Sequence, residues 1–271
     1  VDQVLNITRR LIDEEGIDFL LAPYSTSLTK SASVISEERK KIIVAGAASS
    51  TAIYEGKKFL YTALTPSTLH MEAVTKSLVL RGASNFVKVH QAAGFTKGVC
   101  SAIDGVLSDV SESTGNKAQI IYDSEIPDPP TNDDISALLD DLMDIEEHID
   151  ATIACMYYEP CTRFLKMAEQ RQFKSDAMVF TICVDNPSFP SAVGDAGAHI
   201  MGTVQWHEDM LLSGDITGWT AKEFANLYRA HYNETPPYQA ASAFAVNLAL
   251  TVAIENAQSL DSDDVAFAMS R

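Results

Sequence analysis

Two short apolar runs, each breaking into a cluster of small hydroxyl residues, constrain this chain more than any other feature. Residues 17–22 read IDFLLA and residues 42–44 read IIV. Runs of that length, without strict polar alternation, suit strands buried on both faces of a parallel sheet. The first stops at Pro23 and opens into Tyr24, Ser25, Thr26 and Ser27, where a helix over about 28–39 begins. The second ends in Gly46, Ala47, Ala48, Ser49 and Ser50. In an open parallel sheet successive strands deliver such turns to one edge, the carboxyl edge, where ligands bind. Free N–H groups at a helix N-terminus and nearby hydroxyls suit a carboxylate or another anion. The plainer alternative is that Ser25, Thr26 and Ser27 only cap the helix. Two such turns in succession weigh against it.

The alternation continues along the chain. Residues 1–15 are patterned as an amphipathic helix with Val4, Leu5, Thr8, Leu11 and Ile12 on one face and Gly16 as its stop. Strands are expected at 59–63, 86–90, 118–122, 151–156, 178–183 and 199–206, with helices at 70–80, 94–110, 133–145, 159–172, 188–193, 220–232 and 238–257. Residues 238–257 are apolar almost all round, which predicts a deeply packed helix. Asp261 or Ser262 caps a final helix. Strand–helix alternation of this kind specifies an α/β fold of doubly wound parallel sheets. It slackens at 64–67 and 202–209, read here as hinge crossings between two lobes, 1–66 plus 208–271 and 67–204.

Composition narrows the function. A net charge of −17 argues against a nucleic-acid partner, which needs concentrated Lys and Arg. Apolar residues make up 46 %, and no apolar run is expected to span a bilayer, so direct membrane insertion is not expected. Cys100, Cys155, Cys161 and Cys183 show no Cys-x-x-Cys spacing, and buried thiols are expected over a disulfide framework. Asn6 to Thr8 and Asn233 to Thr235 are glycosylation sequons, relevant only in a eukaryotic secreted protein. No nucleophile elbow, dinucleotide fingerprint, phosphate-binding loop or His-Glu-x-x-His occurs, so neither catalysis nor a cofactor is expected. His207, Glu208 and Asp209 are adjacent, and three neighbours cannot all face one metal, so no metal site is expected. The acids Asp140, Asp141, Asp144, Glu146 and Glu147 read as a solvated helix face.

The stretch LLAPYSTSLTKSASVISEERKKIIVAGAASS resembles the periplasmic binding proteins for leucine, isoleucine and valine, a family of type I periplasmic-binding folds related to receptor ligand-binding regions. The family pattern there is Gly-Pro-x-Ser-Ser, a helix, then a strand ending in a small-residue turn; this chain has Ala22 in place of the glycine. The resemblance runs through to the segment beginning NETPPYQAASAF. It implies that the N-terminal strands and the C-terminal end of the first lobe lie outside this sequence. It also implies a periplasmic or extracellular solute-binding domain that closes over a small polar ligand, an amino acid or a related amide or carboxylate. Ligand residues would be Tyr24, Ser25, Thr26, Ser27, Ala47, Ala48 and Ser49 on one lobe. Phe95 and Tyr157 would cap the ligand from the other lobe, with Phe95 where the family commonly has Tyr. An acid that takes the α-ammonium group falls at Val184 without a gap and at Asp185 with a shift of one residue, so Asp185 is the candidate, or else a turn residue before Pro187. Trp206 lines the cleft or packs beside it. A membrane permease, as in ABC transport, or a receptor partner would read the closed form. Two rivals stand beside this reading: a sensor or interaction domain of the same fold without a retained site, and a doubly wound hydrolase.

Overall fold

The computed structural model describes residues 1–271. In chain order the helices are α1 (Asp2–Arg9), α2 (Thr26–Arg39), α3 (Glu72–Leu80), α4 (Gly94–Cys100), α5 (Ile103–Thr114), α6 (Asn132–Met143), α7 (Tyr158–Arg171), α8 (Phe189–Val193), α9 (Ala221–Tyr232), α10 (Tyr238–Ala257) and α11 (Ser262–Met269). The strands are β1 (Phe19–Leu21), β2 (Ile42–Ala45), β3 (Leu60–Thr62), β4 (Asn85–Gln91), β5 (Gln119–Ile126), β6 (Ala151–Cys155), β7 (Ala177–Phe180) and β8 (Met201–Gly202). The chain divides into two compact units, one of Val1–Thr65 with Gln205–Arg271, the other of Pro66–Val204.

The first unit holds a three-stranded parallel sheet of order β1-β2-β3. Every residue of β2 is buried, because helices cover both faces. Leu20, Ile43 and Ala45 pack with Ile12 and with Ala32 and Ile35 of α2. Ile42 and Val44 face the opposite way, onto Val246, Leu250 and Ala253 of α10 and onto Val265 of α11. This two-sided burial explains the unbroken apolar run in the sequence. The first helix keeps its expected inward face, with Thr8 and Ile12 buried, and its last turn, Arg10–Glu14, widens to π-helical geometry.

The second unit is a five-stranded parallel sheet of order β5-β4-β6-β7-β8. Side chains of β4 and β6 alternate between two cores. Val87, Val89, Ala154 and Met156 join Leu139 of α6 and Phe164 of α7. Phe86, Ile153 and Cys155 join Val79 of α3 and Ile103 and Leu107 of α5. Fully buried Phe86, Phe164 and Phe180 each contribute roughly 1.5–3 kcal/mol by area.

Four expectations are corrected. The cysteines are not thiols: Cys100 bonds Cys155 and Cys161 bonds Cys183, across 55 and 22 residues, with no cysteine left free. These pairs come together through strand order, so local spacing carries no trace of them. The single helix expected over 94–110 is two, α4 and α5. The break falls directly after Cys100, which is fixed to β6. The strand expected over 199–206 is only Met201–Gly202. Gly202 lies so close to Val184 that a Cβ there would stand 2.7 Å from the valine Cβ. Finally, α10 is 20 residues long with a mean hydropathy of 1.3, enough by length and composition to cross a membrane. It is not deeply packed on all sides: Ser242, Val246, Leu250 and Ala253 form a buried stripe, while Phe244 is 39 % exposed on the other side. A core-facing stripe at helical spacing is the mark of a helix laid on a sheet.

Candidate functional site

The carboxyl ends of β1 and β2 place the two hydroxyl turns side by side. The amide of Ala22 donates to Val44 O at 2.8 Å, and the amide of Ser25 donates to Ala47 O at 3.2 Å. Ser25 caps α2, its Oγ accepting from the amide of Leu28 at 3.4 Å, and its Oγ lies 3.2 Å from that of Ser27. Its φ of +96° is a conformation that a residue with a Cβ seldom adopts. Thr26, the first residue of α2, is buried, and its Oγ1 has no hydrogen-bond partner. An unsatisfied buried hydroxyl is costly and therefore uncommon. Ala48, Ser49 and Ser50 are buried in the neighbouring turn. That turn is held by Tyr54, whose phenol donates to Ala48 O and whose pKa burial pushes up to about 12. Tyr24 is half exposed, its hydroxyl 3.3 Å from that of Tyr238 at the start of α10. A hollow of about 230 Å³ lies beside Tyr24, Gly46 and Ala47.

Within the second unit the strand order reverses at β4, with β5 on one side and β6 on the other. A doubly wound sheet receives its ligand outside the carboxyl ends at such a switch point. Phe95 follows β4 and Tyr157 follows β6, and their rings lie 5.9 Å apart. His70 meets Phe95 edge-on at 5.4 Å. One buried side chain organises this rim. Gln91 accepts from the amide of Tyr157 at 2.6 Å through Oε1 and donates to Asp128 Oδ1 at 2.9 Å through Nε2. Its backbone carbonyl accepts from Thr96 Oγ1 at 2.8 Å. Thr181, after β7, is likewise bonded to Met156, accepting from its amide at 3.1 Å and donating to its carbonyl. Asp185 lies on the same turn, and burial pushes its carboxyl up to about 6.

Gln91, His70 and Thr181 were missed in the sequence. A polar residue closing an apolar strand was the one available signal for Gln91. Trp206 packs edge-on against Phe224 at 5.5 Å, in a groove of about 550 Å³ on the first unit that also contains Trp219 and Phe244. Glu208 is engaged by Arg229 and by Lys222 at 2.8 Å, which holds its carboxyl down at about 2. The acids of α6 are not merely solvated: Asp140 pairs with Arg171 at 2.6 Å and Asp141 accepts from Tyr122 at 2.9 Å.

Comparison with known proteins agrees with this fold. The family model described as "Periplasmic binding protein" matches residues 1–271. A leucine-binding protein from Thermotoga maritima shares 20 % identity and a TM-score of 0.79, over 99 % of this chain and 72 % of its own. A branched-chain amino acid transporter substrate-binding protein from Streptococcus pneumoniae, solved with isoleucine, shares 16 % identity and a TM-score of 0.81, over 99 % and 72 %. A solute-binding protein of an ABC transporter from Rhodopseudomonas palustris, solved with 3,4-dihydroxybenzoic acid, shares 14 % identity and a TM-score of 0.78, over 98 % and 70 %.

Proposed function

The chain belongs to the periplasmic binding protein family, and from that premise we propose that it captures a small carboxylate-bearing solute, an amino acid or a related amide, outside the cytoplasm. One observation carries the reading: the buried, unpartnered hydroxyl of Thr26 at the N-terminus of α2, beside the turn of Ala47, Ala48 and Ser49. A carboxylate there would accept from that hydroxyl and from the first amides of the helix. Ser25, Ser27 and Tyr24 complete the polar rim. Within the second unit, Phe95 and Tyr157 offer an apolar surface to a solute and Asp185 an acceptor for a positive group. A carboxyl lifted by burial gains most from an arriving ammonium ion, which restores its charge balance.

A solute that binds one form of the protein better than another shifts the population toward that form by its differential affinity. A permease or receptor partner would read that form. The two disulfides support an extracytoplasmic setting, since such bonds persist in oxidising compartments. A second reading has its own support. The His70–Phe95–Tyr157 ring cluster would also suit a flat aromatic carboxylate, the class seen in the Rhodopseudomonas relative.

The test is calorimetry and thermal shift against leucine, isoleucine, other amino acids, benzoate and 3,4-dihydroxybenzoate. A true ligand at a hundred times its Kd adds about 2.7 kcal/mol of stability. A flat response across the panel would leave a family fold that has lost its solute site.

A further inference from the structure

The two disulfides lie beside the elements that carry the second unit's candidate ligand residues. Cys100 ends α4, the helix that begins at Gly94 and Phe95. Its partner Cys155 ends β6, two residues before Tyr157. Cys161 sits in the first turn of α7, the helix that Tyr157 caps, and its partner Cys183 stands two residues before Asp185. Read through the bonds, the order is Phe95, Cys100 to Cys155, Tyr157, Cys161 to Cys183, Asp185. Three segments far apart in sequence become one covalent path.

The bonds also lie on opposite faces. Cys100 and Cys155 belong to the core under α3 and α5, whereas Cys161 and Cys183 belong to the core under α6 and α7. The connection from β6 to α7 is thus held on one face at Cys155 and on the other at Cys161. All four sulfurs belong to buried residues. At the opposite edge of the sheet a carboxylate closes the structure instead. There Asp150 Oδ2 accepts from the amides of Ser84 and Asn85 at 2.8 Å each and from Ser84 Oγ at 2.9 Å.

We propose that Cys100–Cys155 and Cys161–Cys183 act as positioning bonds, setting the mutual geometry of Phe95, Tyr157 and Asp185 rather than only stabilising the unit. This rests on reading those three residues as ligand-facing. Pre-setting loops in their bound arrangement raises affinity by lowering the ordering cost of binding.

The test compares wild type with Cys100→Ala/Cys155→Ala and with Cys161→Ala/Cys183→Ala, using amide hydrogen exchange and calorimetry with leucine and benzoate as probes. Losing the first bond should speed exchange about tenfold or more over 93–98 and 156–159. Losing the second should do so over 156–161 and 183–187, with β4 and α6 unchanged in both. Kd for whichever probe binds should rise about tenfold. Exchange that rises evenly through the unit in step with Tm, or does not rise at those loops, overturns the proposal. If one variant does not fold, the other still reports its own pair of loops. If wild type binds neither probe, the choice of solute fails, and the exchange pattern still decides whether the bonds position these loops.

Discussion

The amide of Ser25 donates to the carbonyl of Ala47 at 3.2 Å, so the turn after β1 is fastened to the turn after β2. The two hydroxyl clusters therefore act as one surface, and a change in one turn reaches the other through a single backbone bond.

Thr26→Val separates binding from folding. Valine keeps the shape of the side chain and removes an unsatisfied buried oxygen. Stability should hold or rise by about 1 kcal/mol. Affinity for a carboxylate solute should fall about tenfold with the loss of one hydrogen bond to a charged group. Denaturant unfolding and calorimetry on the same preparation read both numbers.

Asp185 governs a pH window. Its folded pKa, about 6, is raised above the ordinary aspartate value of 3.8, so the native state holds its proton more tightly than the unfolded chain. Stability is then fully present below about 4 and is lost as pH rises toward 6. Asp185→Asn should flatten that slope and stabilise the second unit at pH 7 by about 1 kcal/mol, a figure discounted for partial solvent access. It should also abolish any preference for an ammonium-bearing solute. Unfolding curves between pH 4 and 7 give the first result, and a competition between an amino acid and its deaminated analogue gives the second.

Thiol titration checks the cysteine pairing. Denatured, unreduced protein should give no reaction with a thiol reagent, and reduced protein should give all four thiols. Peptide mapping should link Cys100 to Cys155 and Cys161 to Cys183. By loop entropy each bond contributes about 3–4 kcal/mol, so reduction should lower Tm markedly.

Lys88 is a charge inside the second unit. Its side chain is only 7 % exposed, and its ammonium lies 2.5 Å from Asp104 and 3.0 Å from Asp123. Burial works against its charge, but the hydrogen bonds to those two carboxylates outweigh it and raise the pKa. A raised lysine contributes stability below its ordinary value of 10.5, lost as pH climbs through the folded value. Lys88→Met, which keeps the apolar stem, should cost less than about 1.5 kcal/mol and flatten the alkaline limb of the stability profile. Lys88→Ala should cost about 2–3 kcal/mol, through lost packing as well as lost charge.

The groove on the first unit should bind a hydrophobic dye. Trp219 stacks on Phe244 at 5.8 Å, and both are about 40 % exposed. Trp219→Ser should cut 8-anilinonaphthalene-1-sulfonate fluorescence severalfold by breaking the apolar patch, while leaving the far-UV spectrum unchanged.

The sequence carried the fold class because its signals are local. Apolar runs of three to six residues, closed by Pro23 or Gly46, can be read without knowing what lies across the sheet. Parallel pairing then brought the turns after β1 and β2 together. The limits of α10 were equally legible, but its orientation was not: composition shows how apolar a helix is, whereas the buried stripe at Ser242, Val246 and Leu250 is chosen by β2 beneath it. The disulfides and the Gln91 network are contacts between residues tens of positions apart; a polar residue closing an apolar strand hints at Gln91, but nothing local names its partners or pairs the cysteines.

The side-chain amide of Gln91 is spent at both ends, its oxygen on the N–H of Tyr157 and its nitrogen on the carboxylate of Asp128. That polarity cannot be reversed or replaced by an isostere. Glutamate in its place would set like charges against each other and unhook the loop after β5 from the other two, so three loops at one sheet edge depend on the identity of one atom.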